Sequence, residues 1–79
     1  MYQIYIPLVG TVYFSIDHMY HHRDATVLHA KDDDGNLCIV RCARISFQSD
    51  RFEDYGWVRT LSYTYNGQTV PFDKYLSLS

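Results

Sequence analysis

The chain has 79 residues, 47% hydrophobic and 20% charged, a globular composition with room for one domain (1–79) and none for a multidomain enzyme. A domain this small buries only about 60–65% of the surface its unfolded chain exposes, so its stability is modest or lent by a partner. Seven Lys and Arg against nine Asp and Glu leave a net charge of −2, which provides no chain-wide positive field to draw it onto nucleic acid or anionic lipid.

The even positions from Tyr2 to Ile16 run Tyr2, Ile4, Ile6, Leu8, Gly10, Val12, Phe14 and Ile16, with Gln3, Thr11 and Ser15 among the odd ones. That period of two predicts strand with an even inward face, either one strand bent near Pro7 and Gly10 or a hairpin turning there. The stretch carries no charged side chain, but it has no basic leader, is broken by Gln3, Pro7 and Gly10, and falls short of the ~18 apolar residues a membrane span requires. A soluble, cytoplasmic protein is therefore expected. Residues 17–24, DHMYHHRD, lose the alternation and predict a loop or short helix with Asp17 placed as its cap.

Two apolar runs, Ala25 to Lys31 and Leu37 to Phe47, flank Asp32-Asp33-Asp34-Gly35-Asn36, a hairpin signal. A two-residue turn at Asp34-Gly35 sets Ala30 opposite Ile39, Leu28 opposite Arg41, His29 opposite Val40 and Val27 opposite Cys42. The second run is apolar on both faces over much of its length and is expected to be central. Its cysteines, Cys38 and Cys42, share one face about 13 Å apart at ~3.3 Å per residue. A disulfide needs its Cα atoms within ~7 Å, so they read as buried free thiols in a reducing compartment.

Residues 48–57 carry charge without alternation and predict a long loop. Val58 to Tyr65, Asn66-Gly67 and Gln68 to Phe72 form the clearest hairpin, since Asn-Gly is the preferred type I′ pair. It places Tyr63 opposite Val70, Leu61 opposite Phe72 and Thr64 opposite Thr69. Asp73 to Ser79 is expected to hold one helical turn or to fray. The fold class is therefore mainly β: a small antiparallel barrel or strongly bent sheet of five or six strands with at most one or two short helices.

No motif carries catalysis. His18, His21 and His22 would share one face of a helix, with His29, Cys38 and Cys42 as further ligand types, but no zinc spacing is present and the reading adopted is a polar connection with no metal. The Asp32–Asn36 run lacks the glycine and carboxylate positions of a calcium loop and reads as a turn favoured by local side-chain hydrogen bonds. There is no nucleophile elbow and no phosphate-binding glycine pattern, so neither enzyme activity nor a cofactor is expected.

Binding is the stronger reading. Eight Tyr, four Phe and one Trp exceed what so small a core hides, and exposed Tyr and Trp provide rigid contact area. The loop Asp50, Arg51, Phe52, Glu53, Asp54, Tyr55, Gly56, Trp57 interleaves acids with aromatics, a composition suited to a host protein with a basic surface. Asp32, Asp33 and Asp34 form a second acidic patch, and the exposed edge at 68–72 offers pairing into a homodimer. A compact acidic domain of this kind fits the general profile of phage- and mobile-element-encoded inhibitors, anti-CRISPR proteins among them, which block nucleic-acid-binding machinery by occlusion in the host cytoplasm. The competing reading is a small barrel that stacks single-stranded nucleic acid on Tyr55, Trp57 and Tyr63 beside Arg41, Arg44, Arg51 and Arg59.

Overall fold

A computed structural model describes residues 2–45 and 55–78 of the chain. They form six strands, β1 (Tyr2–Ile6), β2 (Gly10–His21), β3 (Ala25–Asp32), β4 (Leu37–Ala43), β5 (Trp57–Tyr65) and β6 (Gln68–Ser77). Each strand pairs antiparallel with the next in one meandering sheet of order β1 to β6. The sheet curls into a nearly closed barrel in which β1 and β6 approach each other without a hydrogen-bonded ladder, leaving one seam. Among the described residues, no helix is long and apolar enough to cross a membrane.

Even parity holds through the first hairpin, where Ile4, Ile6 and Phe14 are buried and Tyr2 and Val12 pack against them. The chain turns over Pro7-Leu8-Val9, closed by the Val9 N–H on the Ile6 carbonyl at 3.1 Å. Of the two expected arrangements it is the hairpin. Leu8, expected inward, is instead wholly exposed at its tip.

Residues 17–21 are strand, not loop or helix. The register steps between Ile16/Ala30 and His18/His29, so Asp17 is an extra residue on β2 and the inward face changes from even to odd. Met19 and His21 then turn inward and His18 and Tyr20 outward, which hid the alternation from a reading at constant parity. On the outer face the rings of Tyr20 and His29 meet edge to face at 4.7 Å.

The β3–β4 register also differs from expectation, by one residue: Ala30 faces Cys38, Leu28 faces Val40, His29 faces Ile39, Val27 faces Arg41 and Thr26 faces Cys42. The cause is the turn chemistry. Asp32 accepts the backbone N–H groups of Asp34 (3.0 Å) and Asn36 (2.9 Å) on Oδ1, and its carbonyl accepts that of Gly35 at 3.0 Å. With Gly35 at φ 82°, this makes a three-residue loop in place of a two-residue turn. The shift puts Cys38, Val40 and Cys42 in the core with Leu28 and Ala30, and both thiols are free and buried. β4 lies between β3 and β5, inside the sheet as its two apolar faces imply.

Asn66 (φ 52°) and Gly67 (φ 76°) turn the last hairpin as expected, with Tyr63 facing Val70 and Thr64 facing Thr69. The Leu61–Phe72 pair does not form. Between Ser62/Pro71 and Thr60/Lys74, the residues Phe72 and Asp73 together oppose Leu61, a bulge on β6. Beyond it β6 continues to Ser77, so the tail is neither helical nor frayed, and Leu76 and Leu78 join the core opposite Val58. The buried Thr60 hydroxyl donates to the Lys74 carbonyl at 2.6 Å, which satisfies a polar group inside the barrel.

Candidate functional site

An antiparallel meander puts alternate connections at opposite ends. The turns β1–β2, β3–β4 and β5–β6 therefore share one mouth, while the 22–24 turn, the end of β4 and the start of β5 lie at the other. This separates the two patches the sequence nominates: Asp32, Asp33 and Asp34 lie at the three-turn mouth, and Tyr55 and Trp57 start β5 a strand length away. Asp50, Arg51, Phe52, Glu53 and Asp54 lie outside the described residues.

At the three-turn mouth the first feature is Leu8. Pro7 and Leu8 occupy the central positions of the β1–β2 turn, and Leu8 has φ 71°, the left-handed region that such a turn reserves for Gly or Asn. Leu8 is 100% exposed, so no burial offsets that strain. Val9 and Leu37 are also exposed, which gives this end three large apolar side chains in water. Replacing Leu8 with Asn is expected to raise unfolding stability by about 0.5–1 kcal/mol, because Asn tolerates left-handed backbone. A urea titration that shows a loss instead would mean Leu8 is supported by packing.

Inside the rim lies a cavity of about 230 Å³, walled by Val9, Val12 and Val70 and by the rings of Tyr63 and Tyr65, with Asp32 and Gln68 as its polar members. The two tyrosine rings lie near parallel, centroids 6.4 Å apart. Tyr63 is a core residue, and burial pushes up the pKa of its hydroxyl and of the Cys38 thiol. Asn36 Nδ2 donates to the Tyr65 hydroxyl at 3.2 Å, tying the acidic turn to β5. Asp32 faces the buried Phe14 in register, so its carboxylate is on the inward side, while Asp33 and Asp34 are exposed outside it.

The other candidate residues are dispersed. Tyr55 is half-buried against the core with its ring 6.3 Å from His21, whereas Trp57 is 67% exposed. Tyr63, expected beside the arginines as a stacking platform, is only 3% exposed. Arg59 is held by a bidentate ion pair to Asp73 at 2.9 and 3.0 Å, which keeps the Asp73 carboxyl below its ordinary range. Arg41 and Arg44 are exposed, and Arg51 lies outside the described residues. His18, His21 and His22 do not share a face, because strand alternation separates the first two. Among the described residues no three His, Cys, Asp or Glu side chains are grouped to hold a metal ion.

Sequence reasoning missed the seam. There Gln3, Ile4, Tyr5, Thr11, Lys74 and Tyr75 line an open cleft of about 370 Å³, and Tyr5 and Tyr75 are both largely exposed. Lys74 shares the parity of the buried Phe72 and Leu76, so the alternation gives no sign of its exposure there. Comparison of the chain with protein-family models, with curated proteins and with solved structures finds no match to any of them.

Proposed function

We propose that the chain is a small, non-catalytic protein-binding module that docks by its three-turn mouth and acts by stoichiometric occlusion of a partner with a basic surface. The observation that supports this most is Leu8, a bulky apolar side chain kept in strained backbone and in full contact with water. Strain that no internal contact repays is characteristic of residues retained for an external one. Exposed Val9 and Leu37 extend the apolar contact, and Asp33 and Asp34 flank it with negative charge. Apolar contact holds a complex while charge steers its formation.

In its most specific form the module is an inhibitor of host nucleic-acid-binding machinery, of the anti-CRISPR type encoded by phages and mobile elements, with aspartates standing where phosphates would bind. Two buried free thiols support a reducing cytoplasm as its place of work. Lysate capture on the tagged chain, with and without nuclease, should return one stoichiometric protein that survives nuclease. Its binding should weaken steeply between about 0.05 and about 0.3 M salt, as Debye screening shortens. Salt-independent binding would remove the phosphate-mimic version.

The second reading, a single-stranded nucleic-acid binder, is favoured by the seam, where exposed Tyr5 and Tyr75 flank Lys74. Nuclease-sensitive recovery of DNA or RNA would put that reading first.

A further inference from the structure

The cavity inside the three-turn mouth has one charged wall. Asp32 is on the inward face of β3, its register partner Phe14 is fully buried, and it lines the cavity together with Val9, Val12, Val70, Tyr63 and Tyr65. Its Oδ1 is occupied by the backbone N–H groups of Asp34 and Asn36. Among the described residues no Lys, Arg or His pairs with it; Lys31, next to it in sequence, turns outward to Asp17 at 3.8 Å. Asp32 is thus the charged member of a mainly apolar hollow with no cation from the described residues beside it, and charge complementarity favours a cation from outside.

We infer that this cavity receives a basic side chain from the partner, its alkyl stem against the valines and tyrosines and its cationic head on Oδ2 of Asp32, the oxygen that the turn does not use. The inference rests on the mouth being the docking end and names the chemistry that end recognises. A hollow of about 230 Å³ suits one long side chain, and the half-buried Tyr65 ring at its wall offers a face to a planar guanidinium. Asp32 thereby has two functions: one oxygen shapes the turn and the other reads the partner.

The probe is N-butylguanidinium, compared with its neutral planar isostere N-butylurea, titrated into the ¹⁵N-labelled full chain. Saturable shifts are expected at the amides of Val9, Val12 and Val70, with the cation bound about fivefold more tightly, the size of one good ion pair at a partly exposed site. Asp32→Asn keeps the acceptor that the turn needs and removes the charge, and should bring the two affinities within about twofold. The comparison on the unmodified chain stands by itself if that variant unfolds. Equal affinities there, or a preference that survives in folded Asp32→Asn, overturn the inference. That result would leave the docking end to be judged by Leu8 variants in partner capture, whereas a clear cation preference combined with Leu8-independent capture would show the reverse failure.

Discussion

Between pH 9 and pH 12 the folded state is expected to lose about 4 kcal/mol of stability through Cys42 alone. Its thiol is fully buried in β4, and burial pushes its pKa from 9.0 to about 12. In the unfolded chain the thiol ionises near pH 9, while the folded chain keeps it neutral. Above that point folding takes up a proton, and the stability this group contributes is complete below pH 9 and falls by about 1.4 kcal/mol per pH unit up to about 12. A domain of 79 residues has about 4–12 kcal/mol in total, so this loss is a large share of its stability. Cys38 and Tyr63, both raised by burial, act in the same direction. Urea titrations across the pH range should show a shallower alkaline limb for Cys42→Ala than for the unmodified chain. Equal slopes, together with fast thiol labelling of the folded protein at pH 8, would mean that β4 is not closed to water.

Phe14→Ala is expected to cost about 3–5 kcal/mol, enough to leave the chain largely unfolded at room temperature. Phe14 has no exposed surface, lies where β1, β2 and β3 meet, and packs on Tyr2 with ring centroids 6.1 Å apart. Tyr13, one residue earlier on the same strand, faces water, and Tyr13→Ala should change stability by no more than about 0.5 kcal/mol. The contrast between neighbours tests the parity of β2 directly by far-UV circular dichroism and urea unfolding. Similar losses at both positions would show that this strand does not alternate as described.

Where parity stays constant, alternation alone recovered the fold. The inward face of Ile4, Ile6, Val12 and Phe14 and the Asn66-Gly67 turn, with Tyr63 against Val70, read directly because the parity is constant there. The errors in register and strand extent sit where a single residue breaks that rule. Asp17 bulges and reverses the face of β2, which disguised 17–21 as a loop. The Asp32 side chain lengthens its turn by one residue and slips β4. Phe72 and Asp73 bulge together, so β6 looked finished five residues early. A one-residue insertion changes the pairing register, and in β2 the buried face, while leaving composition untouched, and a pattern read at fixed period cannot see it.

The candidate site was less legible for a related reason. Asp32, Asp33 and Asp34 stood out as acids, but only the fold shows that Asp32 points inward while its neighbours point out. Leu8 fitted the inward series by parity, and its exposure follows from the turn and not from its residue type. The one cue in the sequence was Pro7 before Leu8, a turn dipeptide lacking the glycine its second position prefers.

The docking claim is tested most directly by capturing partner protein from nuclease-treated lysate with two double variants of the tagged chain. Leu8→Ser with Leu37→Ser removes the two most exposed apolar side chains of the three-turn mouth, and Trp57→Ser with Tyr75→Ser removes the two large aromatic rings exposed on the outer face of β5 and β6. The account predicts that the first pair reduces capture by about tenfold or more while the second leaves it within about twofold, as expected when a few central contacts carry the binding energy. Loss of capture with the second pair and not the first would contradict it and place the docking surface on the tyrosine and tryptophan face.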